Sequence, residues 1–357
     1  MGDKKLMKGN EALAEAMIRA GCDAYFGYPI TPQSEVLEYL SREATNRTGM
    51  VILQAESEVA AINMIYGAAG CGKRVMTTSS SPGISLMQEG ISYIASAQLP
   101  CVLANVNRGG PGLGTIQPAQ GDYFQSVKGG GHGDYHLFVL APNSVQEMVD
   151  HVKLGFEIAE KYRTPVMLLA DGAIGQMMEK VELFPQMERV KKDYDWATTG
   201  RKRGQDRTYV TSLFIQPEKM EKINHSLQAK YKKMEEEDVM VQTMNTDDAE
   251  YLLTGYGLAA RICMKAMELG RKKGYKIGLV RPITLFPFPK NTFASLQPQL
   301  KGILDVEMNT GQMIEDVKLS VECKTRVEFY GRSGGIIPSP EEILEHFEEV
   351  FINGGSK

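Results

Sequence analysis

Closely spaced cysteines are missing. The five in this 357-residue chain, Cys22, Cys71, Cys101, Cys263 and Cys323, stand singly, no two closer than thirty positions. That spacing and the odd total argue against a disulfide framework, and exclude the Cys-x-x-Cys clamps that hold zinc or an iron–sulfur cluster within one chain. Long apolar runs are missing too: nothing approaches the roughly eighteen residues a bilayer span needs, and the charged stretch Met1 to Asn10 has no apolar core behind it. A reducing cytoplasm is the expected location, with no membrane partner. Nor does charge of one sign dominate. Forty Lys and Arg stand against forty-four Asp and Glu, so no global basic field recruits nucleic acid. Short-period repeats and low-complexity tracts are also absent.

What is present is an ordinary globular composition, 43% hydrophobic and 24% charged, long enough for two domains with separate cores. Between residues 22 and 171, short apolar runs (CDAYFGYPI, MVILQAE, RVMTTSS, PCVLANVNR, LFVLAP, PVMLLAD) alternate with amphipathic stretches of crossover length. Runs this continuously apolar predict strands buried on both faces of a parallel sheet, hence an α/β fold. Thr31-Pro32, Ser57-Glu58 and Asn143-Ser144 read as helix starts. From Glu188 to about Asp238 the pattern turns polar, with twelve Lys or Arg and five Asp or Glu between Arg189 and Lys233. Without a rhythm of aromatics it reads as a linker, carrying a helix over about 217–238, rather than a nucleic-acid patch. A second α/β unit follows: AEYLLTGYG, a helix at about 258–273, KIGLVRPI, GILDVEM, RVEFYG, and a terminal helix opened by Pro340.

Two glycine-rich stretches fail as nucleotide sites. Gly67 to Lys73 has P-loop spacing, but Arg74 stands where Ser or Thr should meet magnesium, and the stretch ends a helix instead of opening one. It reads as a C-cap and turn. Gly109 to Thr115 follows a strand but is not Gly-x-Gly-x-x-Gly. Three residues at predicted strand ends remain. Arg108 closes an apolar strand where parallel sheets place ligands, and its guanidinium suits a carboxylate. Thr31 offers a hydroxyl beside a helix start, and Glu58 opens a helix of small residues. Taken singly, each also fits a surface ion pair, a turn or a dipole partner. Their combination on one sheet is far less common.

At these residues the chain resembles a known family. GYPITPQS, AESEVAAINMIYGAAG, TTSSSPGISLMQEGISY and NVNRGGPGLGTIQPAQGDYF are similar to the alpha-type subunit of 2-oxoacid:ferredoxin oxidoreductases, which depend on thiamine diphosphate (ThDP). VRPITLFPFP and DVEMNTGQMIEDV resemble the transketolase-C-like domain that follows in that subunit. GGPGLGTIQPAQGDY and KGGGHGDYHLFVLAP look closest to the branched-chain type, acting on 3-methyl-2-oxobutanoate (2-oxoisovalerate). The resemblance implies an α/β fold with a ThDP pyrimidine-binding parallel-sheet domain at 1–185, a charged linker with a helix at 186–244, and a transketolase-C-like domain at 245–352. It also implies oxidative decarboxylation of a 2-oxoacid to acyl-CoA with reduction of ferredoxin. The alternatives are a 2-oxoglutarate or pyruvate relative, or a noncatalytic assembly subunit of the same fold.

By the same resemblance Glu58 is the catalytic residue, meeting N1′ of the aminopyrimidine, with Glu56 as its near rival. Thr31 and Arg108 hold the substrate, and Tyr28 and Pro29 join Glu58 at the cofactor. Gln117, Gln120 and Asp122 are weaker candidates for the pocket wall. The family's Gly-Asp-Gly, which holds diphosphate and Mg²⁺, has no counterpart: Gly121-Asp122-Tyr123 and Gly133-Asp134-Tyr135 lack the second glycine. The expectation is therefore half an active site. A beta subunit would supply the diphosphate and Mg²⁺ site and an iron–sulfur cluster, with gamma and ferredoxin-like delta subunits completing the complex. Coenzyme A and ferredoxin are the other expected partners, and the chain alone is expected to form a homodimer.

Overall fold

The structure, a computed structural model, describes residues 3–189, 193–200, 204 and 206–354. In chain order the first part comprises β1 (Asp3–Lys8), α1 (Gly9–Arg19), β2 (Ala24–Gly27), α2 (Ser34–Thr48), β3 (Val51–Gln54), α3 (Glu58–Gly70), β4 (Val75–Ser79) and α4 (Ser81–Ser96). It continues with β5 (Cys101–Asn107), α5 (Tyr123–Val127), β6 (Phe138–Leu140), α6 (Val145–Tyr162), β7 (Pro165–Asp171), α7 (Gly172–Gln176) and β8 (Met178–Leu183). After α8 (Pro217–Glu237) come β9 (Val241–Met244), β10 (Tyr251–Thr254), α9 (Gly257–Lys272), β11 (Ile277–Pro282) and β12 (Thr284–Phe286). The chain then adds α10 (Lys290–Leu296), β13 (Gly302–Glu307), α11 (Met313–Ser320), β14 (Val327–Gly331) and α12 (Pro340–Phe347).

Seven strands form one sheet in the order β12-β6-β7-β5-β4-β2-β3. All its pairings are parallel except that of β12 with β6. β4, β5 and β7 are buried along their whole length, as their unbroken apolar runs require. The anticipated starts of α3 and α6 are in place: Ser57 Oγ accepts from the Ala60 N–H and Ser144 Oγ from the Glu147 N–H, both at 3.1 Å. α3 ends at Gly70, and Gly72 turns the chain with φ +72°. No helix among the described residues is long and apolar enough to cross a membrane.

Four strands escaped the sequence pattern. β1 and β8 form an antiparallel ribbon of their own, with seven of its twelve residues charged. β9, in the segment read as linker, pairs antiparallel with β11 at the edge of the second sheet, ordered β14-β13-β10-β11-β9. β12, from RPITLFPFP, leaves that second unit to complete the first sheet. The Ala141 N–H reaches the Ile283 carbonyl at 2.8 Å, and Thr284 pairs with Leu140. An apolar run announces a strand, but its pairing partner depends on contacts remote in sequence.

Buried polar groups join the two parts. Gln120 donates from Nε2 to the Tyr256 carbonyl at 2.8 Å and accepts the Met308 N–H on Oε1 at 3.0 Å. Its own carbonyl accepts from Asn309 and from the Tyr256 hydroxyl. Arg281 of β11, 1% exposed, forks onto both carboxylate oxygens of Glu147 in α6 at 2.8 and 2.7 Å and donates to Gln242 at 2.9 Å.

His151, one turn along α6 from Glu147, is buried with its Nδ1 unpartnered. Burial pushes its imidazole down to about 4, against the pull of Glu147. Below the ordinary imidazole range the unfolded chain takes up a proton that the folded chain refuses, so stability falls as the pH drops from about 6.5 to about 4. Over that interval the wild type should lose as much as ~3 kcal/mol more than His151→Gln does. Denaturant melts of both proteins at several pH values would show it, and parallel pH dependences would refute it.

Candidate active site

A parallel sheet gathers the C-terminal ends of its strands on one edge, and four adjacent strands supply the site here. Glu58 follows β3, Thr31 follows β2, the Ser79-Ser80-Ser81 turn ends β4, and Arg108 follows β5.

Glu58 is the first residue of α3 and is 6% exposed, whereas Glu56 points into solvent. No hydrogen bond or ion pair joins the Glu58 carboxylate to any group among the described residues. Its close neighbour is Gly83, in the first turn of α4. A Cβ there would stand 2.5 Å from Glu58 Oε1 and 2.1 Å from Ser79 Oγ, so only glycine leaves the carboxylate its place. An unpaired carboxylate held off solvent beside a bare glycine is an acceptor waiting for a donor.

Arg108 is 9% exposed. Its Nη1 donates to the Thr31 carbonyl and Nη2 to the Leu113 carbonyl, each at 3.0 Å, while Nε has no partner. Ser81 sets the start of the Arg108 loop, accepting the Arg108 N–H at 3.1 Å and donating to its carbonyl at 3.2 Å. Thr31 thus meets Arg108 through its main chain, and its side chain is exposed, as are Tyr28 and Pro29. Beyond Arg108 the Gly109–Gly112 turn, Ser85, Gln125, residues 308–310 and Gln312 line a cleft of about 550 Å³ between the two parts of the chain.

Of the weaker candidates, Asp122 lines this cleft. Burial lifts its carboxyl above the usual range, against hydrogen bonds from Ser81 and Asn105, whose Nδ2 donates at 2.8 Å. Gln117 is exposed. Gln120 is no pocket wall, because all its polar atoms are spent on the join between the two sheets. Ser79, Ser81 and Gly83 were given no role from the sequence. The serine run TTSSSPG at a strand end was their only signal, and runs of small polar residues equally mark turns.

Comparison with known proteins gives the family. Residues 15–245 match the family described as pyruvate flavodoxin/ferredoxin oxidoreductase, thiamine diphosphate-binding, and residues 249–343 match pyruvate:ferredoxin oxidoreductase core domain II. The chain is 47% identical over 346 residues to the ketoisovalerate oxidoreductase subunit VorB of Methanothermobacter thermautotrophicus, covering 97% of both chains. It is 34% identical to the 2-oxoglutarate synthase subunit KorA of Methanocaldococcus jannaschii, covering 95% of this chain and 98% of that one. Among solved structures it resembles a 2-oxoglutarate:ferredoxin oxidoreductase from Magnetococcus marinus with 2-oxoglutarate, coenzyme A and succinyl-CoA bound, at 25% identity and a TM-score of 0.86. The match covers 98% of this chain and 65% of that one. With most of its length matched by a thiamine-diphosphate-binding family model followed by core domain II, and with 47% identity across nearly its whole length to one such subunit, the chain belongs to the 2-oxoacid:ferredoxin oxidoreductase family as one of its subunits.

Proposed function

We propose that the chain is the alpha-type subunit of a branched-chain 2-oxoacid:ferredoxin oxidoreductase, converting 3-methyl-2-oxobutanoate and coenzyme A to an acyl-CoA, carbon dioxide and reduced ferredoxin. The observation that carries the catalytic reading is the unpaired Glu58 carboxylate, held off solvent on the same sheet edge as Arg108. The branched-chain substrate is favoured by 47% identity to the VorB subunit against 34% to the KorA subunit.

These residues fit the pyrimidine half of ThDP: a carboxylate without a partner and a glycine that keeps its surroundings open. When bound, ThDP supplies a thiazolium ring that accepts the electrons released as the 2-oxoacid loses carbon dioxide. Glu58 hydrogen-bonds N1′ of the aminopyrimidine and exchanges a proton there. Arg108 retains three N–H groups beyond its two carbonyl bonds, Nε among them, and with these it orients the substrate carboxylate; we assign Thr31, whose carbonyl Arg108 holds, the assisting hydroxyl. For the diphosphate half the described residues offer no comparable group. Among the described residues no cluster of three His, Cys, Asp or Glu could hold a metal ion, and Gly-Asp-Gly is absent from the sequence. We assign diphosphate and Mg²⁺ to a beta subunit, and the iron–sulfur clusters to beta and delta subunits.

Apolar surface around the site supports a partner there. Val51 and Leu53 of the edge strand β3 are 53% and 42% exposed, and α3 carries no charge after Glu58. Purified alone, the chain should bind ThDP with Mg²⁺ negligibly, since one carboxylate and a few apolar contacts do not offset the cost of immobilising the ligand. Micromolar binding by calorimetry would place the whole site in this chain.

The function is tested by viologen reduction with the co-expressed complex. Branched 2-oxoacids should give the highest kcat/KM. A preference for 2-oxoglutarate or pyruvate would overturn the substrate, and no turnover with any 2-oxoacid would leave an assembly subunit. Within that assay, Arg108→Lys should raise KM at least about tenfold with little change in ThDP affinity. An ammonium cannot bridge two carbonyls and still fork onto a carboxylate. An unchanged KM would return Arg108 to a purely structural role.

A further inference from the structure

The end of β4 runs between Glu58 and Arg108 and carries polar atoms that the fold does not use. Ser79 is fully buried with its hydroxyl unpartnered, and so is Thr77, two residues earlier on the same face. Asn105 is the register neighbour of Ser79 on the adjacent parallel strand, so the two side chains stand on one face of the sheet. The amide of Asn105 is tied through Nδ2 to Asp122, which leaves its Oδ1 as a buried acceptor with no donor. A buried polar atom left unpaired is costly, and Ser79 Oγ and Asn105 Oδ1 are two of them at one register position. Gly83 shows what they face, because the one Cβ position that would crowd Ser79 Oγ at 2.1 Å also crowds Glu58 Oε1 at 2.5 Å and Glu58 Cγ at 2.9 Å. The Ser79 hydroxyl and the Glu58 carboxylate converge on the same bare glycine.

We propose that Ser79 is a positioning residue for Glu58, its hydroxyl donating to the Glu58 carboxylate and turning to Asn105 Oδ1 when Glu58 carries a proton. This inference rests on the reading of Glu58 as the partner of N1′. Ser79 keeps its own proton throughout, so the only proton that moves is the one shared by Glu58 and N1′. A hydrogen bond donated to the ionised carboxylate favours that form and lowers its proton affinity. With Asn105 Oδ1 as the alternative acceptor, a rotation of the Ser79 side chain gives its hydroxyl, unpartnered here, a partner in either protonation state of Glu58. Asp122 contributes by fixing which end of the Asn105 amide faces Ser79.

The test uses the assembled complex loaded with ThDP and Mg²⁺. It follows exchange of the thiazolium C2 proton for deuterium, by acid quench and proton NMR, as a function of pH. Ser79→Ala should slow exchange at neutral pH about tenfold, a difference of about 1.4 kcal/mol in barrier. It should also move the acidic limb of the profile to higher pH, with ThDP affinity and melting temperature close to wild type. Ser79→Thr, which retains the hydroxyl, should restore the wild-type profile. A Ser79→Ala profile that superimposes on the wild type overturns the proposal, as does a slowed rate with no shift along the pH axis. Glu58→Gln separates the two levels. If it leaves exchange untouched, the role of Glu58 itself is wrong. If it stops exchange while Ser79→Ala behaves as wild type, only the role of Ser79 is wrong.

Discussion

Glu58→Gln should lower 2-oxoacid turnover of the assembled complex at least about a hundredfold, close to 3 kcal/mol in barrier, while the protein folds and assembles normally. Glutamine has the same size and can still hydrogen-bond N1′, but it cannot take up and return a proton there. Nothing in the fold depends on the charge: the α3 start is capped by Ser57, and no cation pairs with Glu58 among the described residues. Removing an unpaired, largely buried charge should leave the melting temperature unchanged or slightly raised. Retention of more than about a tenth of wild-type turnover, a barrier difference of less than about 1.4 kcal/mol, would end the assignment. Glu56→Gln is the matched control, since Glu56 is exposed two residues away and should be neutral.

The second large effect is on stability. Glu147→Ala strands the Arg281 guanidinium, 1% exposed, with only Gln242 for company, and should cost about 3–5 kcal/mol. The loss belongs to the abandoned charge more than to the missing bond. Replacing both partners with apolar residues, Glu147→Leu with Arg281→Met, should therefore recover most of it. Denaturant midpoints of the single and double variants decide the matter. A loss below about 1 kcal/mol for Glu147→Ala would mean that water reaches Arg281 and that the pair is not what joins β11 to α6.

Much of the fold was legible because its signals are local. The unbroken apolar runs at 75–79, 101–107 and 165–171 are strands buried on both faces. Ser57 and Ser144 cap the helices they precede, and the Gly67 to Lys73 stretch is the turn its context required. β1, β8 and β9 were not legible. Short, charged or mixed segments become strands only when an edge is available to pair with them.

Glu58 and Arg108 could be named from the chain because each sits next to a local signal, a helix start and a strand end respectively, and because the surrounding motifs resemble a family. Choosing Glu58 over Glu56 rested on that resemblance, whereas their burial differs for a tertiary reason: only Glu58 lies under the first turn of α4, against Gly83. The fate of Gln120 was decided the same way. Nothing nearby in sequence distinguishes a pocket wall from a join between sheets, since its partners Tyr256, Met308 and Asn309 lie more than a hundred residues downstream. The departure of β12 to the first sheet, the convergence of Ser79 with Glu58 and the burial of Arg281 on Glu147 have one cause in common. The sequence by itself determined the strands made of unbroken apolar runs, the helices with capped starts, and which residue types reach the strand ends. Which of those side chains lose their water, and to which partner, was settled only when distant segments packed together, because desolvation and hydrogen-bond pairing depend on neighbours in space.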